Sequence, residues 1–359
     1  MGTVRELTYA KAGVDVKSVR KTQVSIRKAV EATFRFRRGR FGEIIGGFGH
    51  YASLIDIGGG NALAVHTDGV GTKVLVAQLM NKYDTVGIDA VAMCVNDLIC
   101  IGAEPLALVD YLAVQKLDEK MINEIMKGLV EGAEMADVMI VGGETAVMPH
   151  IIRGAVRGKG FDLAALSVGV VDKKKIVTGE EMKPGDCVIG LESSGIHSNG
   201  LTLARKALFE RRKLKVSTIL PELKRSVGEE LLEPTKIYVE PILEILKNAE
   251  VHALANITGG AFGKLRRFEE YAKVGFKLDR MPKPQPIFEV IQKLGVISDK
   301  EAYQTFNMGI GFCIVVPESQ SDNVIKICEK CNVGATVIGK ITLQRGVKIK
   351  ISKGKVISI

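Results

Sequence analysis

The sequence predicts a two-domain α+β / α/β protein: a mixed N-terminal sheet carrying helices, then a C-terminal α/β domain. Three observations predict it. The 359 residues exceed the roughly 100–200 that one domain usually takes. Apolar segments of the first half follow the order β-β-α-α-β-α-β-β, which mixes hairpins with crossovers. A charged turn, Asp172-Lys173-Lys174-Lys175, and a breaker, Met182-Lys183-Pro184-Gly185-Asp186, separate that half from a second strand–helix alternation. The domains are therefore placed at 1–172 and 173–359.

Residues 14–34 read as a helix, with Val19, Val24, Ile26 and Val30 among Lys, Arg and Gln. Leu54 to Ile57 is apolar, and Gly58-Gly59-Gly60-Asn61 is the turn of a hairpin. Ala62 to Thr67 is a buried strand running into Asp68-Gly69. Helices are predicted near 72–82, 85–101 and 118–136, and strands at Leu106 to Val114, Val138 to Val141 and Leu163 to Val171. Gly142-Gly143-Glu144-Thr145 is expected to interrupt the pattern. In the second half, Val188 to Leu191, Val251 to Ile257 and Met308 to Val316 read as strands. Helices are predicted at 200–210, Glu233 to Asn248 and 319–331. Pro282, Pro284 and Pro286 mark a stiff loop, and 334–359 is strand-rich.

Composition excludes several classes. Hydrophobic residues make up 46% and charged residues 25%, as in ordinary globular chains. No apolar run reaches the ~20 residues that span a bilayer, and six scattered Cys are no disulfide framework, so a cytoplasmic setting is expected. The net charge of +9 is uneven: residues 1–55 hold +7 and the rest only +2. Its densest part, Phe34 to Arg40, interleaves arginines with aromatics, as a nucleic-acid groove would. No other feature supports that use. A solvated segment that attracts a small anionic ligand is the preferred reading.

No Walker loop and no Gly-x-Ser-x-Gly elbow is present. Gly47 to Ala52 fits Gly-x-Gly-x-x-Ala, but a strand-like segment follows it where a dinucleotide fold needs a helix. Cys328-Glu329-Lys330-Cys331 has no second pair and reads as structural. What remains is a set of acids beside glycines. Asp68 ends a buried strand, Asp97 lies in a helix apolar nearly all round, and Glu144 follows Gly142-Gly143. An unpaired buried carboxylate is costly, so these three suggest a shared Mg²⁺, and Mg²⁺ suggests phosphate. The alternative for each is a helix cap or an Arg partner. Asp110 is structural or supportive. Ser193 to Gly200 is an anion-binding concavity of hydroxyls, glycines and free N–H groups, to which His197 and Asn199 add donors.

At these residues the chain resembles the phosphoribosylformylglycinamidine cyclo-ligase (aminoimidazole ribonucleotide synthetase) family. The resemblance rests on Leu7 to Asp15, Thr67 to Lys73, Asp84 to Asp89, Met93 to Leu98, Gly102 to Pro105, Gly142 to Ala146, Ser193 to Gly200, Ile257 to Gly260 and Thr305 to Gly309, in the family's order. It implies ATP-dependent closure of an imidazole ring in purine biosynthesis, with the formyl oxygen phosphorylated first. It implies Asp68, Asp97 and Glu144, with Asp56 a weaker candidate, as ligands of Mg²⁺–ATP. Gly46, Gly47, Gly49, Gly69, Lys73 and Asn96 would face the nucleotide. Ser194, His197, Asn199, Thr258 and Gly259 would hold the substrate, with His197, Lys73 and Asp97 the catalytic set. It also implies a homodimer formed through an N-terminal barrel, with no membrane or nucleic-acid partner.

Departures from the family pattern are His50-Tyr51 after Gly49, Val147 where an acid usually stands before Met148-Pro149, and a long basic stretch from His150 to Gly160. They mark a divergent branch and put the metal count in question. The competing activities are a thiamine-monophosphate or selenophosphate kinase-like enzyme, against which the Tyr9 to Asp15 and Thr67 to Lys73 blocks argue, and RNA binding through residues 34–40.

Overall fold

The computed structural model describes residues 6–47, 50–351 and 354–359. The first unit contains α1 (Val16–Glu31), β1 (Ile44–Ile45), β2 (Ser53–Asp56), β3 (Asn61–Gly69), α2 (Lys73–Met80), α3 (Asp84–Ile99), β4 (Glu104–Val114), α4 (Glu119–Ala136), β5 (Met139–Val147) and β6 (Phe161–Asp172). Its six strands form a sheet in the order β1-β2-β3-β6-β4-β5, antiparallel except for the parallel pair β4 and β5. The second unit contains β7 (Cys187–Glu192), α5 (Leu201–Arg205), α6 (Val227–Leu232), α7 (Val239–Asn248), β8 (Ala253–Asn256), β9 (Gly275–Leu278), α8 (Pro286–Gly295), α9 (Asp299–Thr305), β10 (Ile310–Val316), α10 (Ser321–Lys330), β11 (Ala335–Thr342), β12 (Gly346–Lys350) and β13 (Val356–Ser358). Its sheet runs β13-β12-β9-β11-β7-β10-β8.

The β6 residues alternate strictly. Phe161, Leu163, Ala165 and Val171 are buried toward the helices, while Asp162 and Leu166 face outward. α3 is buried along nearly its whole length, because it packs against β3, β4 and β6 on one side and α7 and β8 on the other. It thus joins the two units. α3 and α4 approach very closely at glycines: a Cβ on Gly128 would lie 1.7 Å from the Asp84 carbonyl oxygen, and one on Gly87 would lie 2.2 Å from the Leu129 nitrogen.

Four expectations are corrected. β5 does not break at Gly142 to Thr145; it runs through them, paired with β4. Gly143 fits because a Cβ there would meet Asp110 Oδ1 at 2.1 Å. The helix expected from Glu233 begins only at Val239, because residues 233–238 are held in extended form by α2 and α3 side chains. Pro286 opens α8 at its first turn, where its missing N–H is not needed, instead of extending the proline loop. The helix after Gly200 is α-helical only to Arg205 and continues as a π-turn over Lys206–Arg211.

Candidate active site at the junction of the two units

The site is built around the last two turns of α3. Asp97 Oδ1 accepts a bond from Asn256 Nδ2 at 2.7 Å, at the end of β8. Asp97 Oδ2 lies 3.5 Å from His66 Nε2 and 4.0 Å from Lys264 Nζ. Asp68 shares the helix-side face of β3 with His66, two residues along the strand. Burial, and then the nearby Asp97 charge, raises the Asp68 carboxyl above its ordinary value. Its one fixed bond comes from the Gly69 N–H at 2.8 Å.

The cation of this cluster was not legible as such. Lys264 lies in the 3-10 stretch Ala261–Glu270, donates to Thr258 Oγ1, and stands 5.2 Å over the Tyr51 ring. Arg267 stands 5.1 Å from the same ring. Tyr51 is buried, and its hydroxyl has no hydrogen-bond partner among the described residues. Burial pulls the Lys264 ammonium below its ordinary value, against the opposing pull of Asp97. The sequence signal that could have found Lys264 is its place six residues after Thr258, in the loop that Gly259-Gly260 opens.

Asn199 and Gly259 meet, since a Cβ on Gly259 would lie 3.1 Å from Asn199 Oδ1. Asn199 Nδ2 is 3.8 Å from Met93 Sδ, one turn before Asp97 on α3. The Ser193–Gly200 loop and the Thr258–Gly259 loop therefore converge on α3 beside Asp97. Ser194 donates through Oγ to the Pro234 carbonyl at 2.5 Å, and its N–H reaches His197 Nε2 at 3.2 Å. His197 sits at φ 62°, fully enclosed, with Nδ1 lacking a partner. Burial first, then Lys73 and Lys236, push its pKa down to about 3. Because Nε2 accepts from the Ser194 N–H, the proton of the neutral ring is assigned to Nδ1.

Lys73, Asn96, Asp56 and Glu144 lie elsewhere. Lys73 does not face open space: it is fully buried, 2.8 Å from Asp89 Oδ2 and 2.5 Å from the Glu233 carbonyl oxygen. Asp89 Oδ1 also accepts from Thr235 N and Oγ1, at 2.7 and 2.6 Å. Asn96 spends both amide atoms on backbone, the Lys236 carbonyl and the Tyr238 N–H, each at 2.9 Å. These residues form a clamp between the units, because a buried ammonium and amide must satisfy their bonds locally. Asp56 pairs with Lys173 at 3.0 Å and lies opposite Ala62, six residues up β3 from Asp68. Six residues of strand span about 20 Å. Glu144 lies opposite Tyr111 and is exposed on the outer face of the sheet, whereas its neighbour Gly143 shares the row Asp68–Ala165–Asp110 on the helix side. Gly46 turns at φ 73°, and Gly47 lies against the Arg27 guanidinium. Gly49 lies outside the described residues.

The three-acid cluster is therefore not assembled. Among the described residues no group of three or more His, Cys, Asp and Glu side chains could hold a metal ion. Asp68 and Asp97 remain as a close acid pair at a polar junction. Two carboxylates fit a Mg²⁺ that keeps water and completes its shell with phosphate oxygens.

Residues 49–171 match the N-terminal domain family of AIR synthase related proteins, and residues 183–352 match the corresponding C-terminal domain family. The phosphoribosylformylglycinamidine cyclo-ligase of Methanothermobacter thermautotrophicus is 48% identical over 346 residues, which cover 96% of this chain and 97% of that one. The chain belongs to the phosphoribosylformylglycinamidine cyclo-ligase family. The relative of Methanocaldococcus jannaschii that bears the cyclo-ligase name is 49% identical over 93% of this chain and 92% of its own. The cyclo-ligase family shares its fold with more distant proteins. A thiamine-monophosphate kinase of Stenotrophomonas maltophilia superposes with a TM-score of 0.62 at 20% identity, over 90% of this chain and 95% of that one. PurL of T. maritima, solved with ATP, gives 0.58 at 13% identity, over 91% of this chain and 47% of that one.

Proposed function

We propose that the chain converts formylglycinamidine ribonucleotide and ATP to aminoimidazole ribonucleotide, ADP and phosphate at the Asp68–Asp97 junction. The single observation that carries this reading is near-full-length identity of about one half to cyclo-ligases, with the matched motifs converging on α3. The formyl oxygen attacks the γ-phosphorus, and the bond to ADP breaks. The amidine nitrogen then attacks the activated carbon, the C–O bond to phosphate breaks, and a proton is lost. An amide oxygen is a poor leaving group, and phosphate is a good one. The chain's work is then positioning and charge neutralisation.

Asp68 and Asp97 would hold Mg²⁺, which when bound neutralises phosphate charge. Asn199, Thr258 and Gly259 line the substrate side. His197, neutral across ordinary pH, offers an Nδ1–H donor and no positive charge. Its role is to hold substrate. Residues 1–172 bind nucleotide, and residues 173–359 complete the cleft.

The outer face of the first sheet supports a homodimer. Val109 lies opposite Leu166 there, and both are exposed, as are Tyr111 and Val141. Monomers seldom leave such a face open. Glu144 sits on that same face, so any part it takes in catalysis belongs to the dimer. No described helix is long and apolar enough to cross a membrane.

Incubation with formylglycinamidine ribonucleotide, ATP and Mg²⁺ tests the activity. Aminoimidazole ribonucleotide and ADP should form in equal amounts. ATP hydrolysis indifferent to the ribonucleotide, with no aminoimidazole, would refute it.

A further inference from the structure

Lys73, fully buried, and Lys264, nearly so, lie near the domain junction, and among the described residues only Lys73 has its bonds met. Lys73 reaches both oxygens of Asp89 and a carbonyl. Among the described residues Lys264 makes a single hydrogen bond, to Thr258 Oγ1. Its distance to Asp97 Oδ2, 4.0 Å, is too long for a second. An ammonium has three N–H groups, so Lys264 keeps donors uncommitted in a site where an unmade bond is costly. Arg267 brings a second cation to the same Tyr51 ring. The ring attracts both charges, yet the pair still repels. Asp97 and Asp68 offset that charge from nearby, but neither accepts a hydrogen bond from the ammonium, which leaves its remaining donors open to a bound anion.

We propose that Lys264, backed by Arg267 on the Tyr51 ring, binds the phosphoryl group that moves from the nucleotide to the formyl oxygen and the phosphate it becomes. The proposal rests on the cyclo-ligase reading for the identity of that group, but the anion site stands on its own geometry. Thr258 links the two: its hydroxyl fixes Lys264, and its neighbour Gly259 lies against Asn199 on the substrate side. Lys264, 4.0 Å from Asp97 Oδ2, would meet the phosphoryl group directly, beside the acids that would hold a divalent cation. Charge that builds on the transferring oxygens meets a donor already in place.

The test uses the dimer with Lys264→Met and Lys264→Arg. Calorimetry measures inorganic phosphate and a non-hydrolysable ATP analogue, and steady-state kinetics follow aminoimidazole formation. Lys264→Met should weaken phosphate binding at least about tenfold and lower kcat about 10²–10³-fold, the range for losing one preorganised donor. The KM for the ribonucleotide should stay within about threefold. Lys264→Arg should restore part of both losses, which a packing role would not explain. Unchanged phosphate affinity, or unchanged kcat, in Lys264→Met would overturn the proposal. If Lys264→Met does not fold, Arg267→Met carries the same readouts: weaker phosphate binding supports the proposal and wild-type affinity overturns it. A wild-type protein that binds phosphate through Lys264 but forms no aminoimidazole would refute the cyclisation and leave the anion site standing.

Discussion

Two polar clusters flank α3, and they differ in how fully their bonds are made. In the clamp, Lys73, Asp89 and Asn96 have their charges and amide atoms matched by Glu233, Thr235, Lys236 and Tyr238. In the cleft, Asp68, Asp97, Lys264 and Arg267 lie close together with several bonds unmade. The clamp is buried and the cleft is partly open, with Arg267 exposed, yet both shift the pKa of a lysine downward through desolvation. The functional difference lies in completeness. A satisfied network holds two units together, whereas an incomplete one waits for a ligand.

The largest effect that follows is on turnover. Asp97→Asn should lower kcat by about 10²–10³-fold, by analogy with the loss of one preorganised electrostatic group, while the unfolding midpoint stays near wild type. Near-wild-type turnover would remove Asp97 from the cleft chemistry and erase the contrast. The clamp should fail in the opposite way. Lys73→Met leaves Asp89 charged and buried without its ammonium, which typically costs about 3–5 kcal/mol of stability. Urea denaturation measures it, and a stability loss below 1 kcal/mol on the order of ordinary surface changes would contradict the clamp.

Much of this architecture was legible before any coordinates. The Gly58–Asn61 hairpin turn, the strand entering Asp68 and the four N-terminal helices follow from period and punctuation, because each is a local decision. The residues whose surroundings differ from the expectation are those decided at long range. Lys73 follows Asp68 closely in sequence, but α2 begins there and turns it inward to Asp89. Glu144 was placed with Asp68, yet a strand alternates faces, and Gly143 takes the inner one. Lys264 sits in a ten-residue 3-10 stretch without strand or helix period, so only its place after Thr258-Gly259-Gly260 marks it.

A smaller effect concerns pH. Burial, with Lys73 and Lys236 nearby, holds His197 at about 3, against 6.5 when unfolded. Below about pH 6.5 the unfolded chain takes up a proton that the folded chain refuses, so stability falls progressively toward pH 3. His197→Gln should flatten that part of the stability curve, and kcat of the wild type should show no inflection from this ring between about pH 5 and 8. An inflection near 6.5 abolished by the substitution would show that the ring ionises in the cleft. The smallest effect belongs to the exposed basic segment. Neutralising Arg35, Arg37 and Arg38 should raise KM values a few-fold at low salt and less at high salt, because steering by exposed charge is screened. Equal KM values at both salts would leave that charge without a role.

The contrast between a closed clamp and an open cleft is tested most directly by the turnover of Lys73→Met/Asp89→Asn, assayed at a temperature where it is folded. The asparagine keeps an acceptor for Thr235, and no charge is left stranded. Turnover within about threefold of wild type is the predicted result, since both groups are fully buried and spend their bonds on protein partners. A loss of about a hundredfold or more in the folded variant would mean that Lys73 acts in the chemistry, and the division between the two clusters would fall.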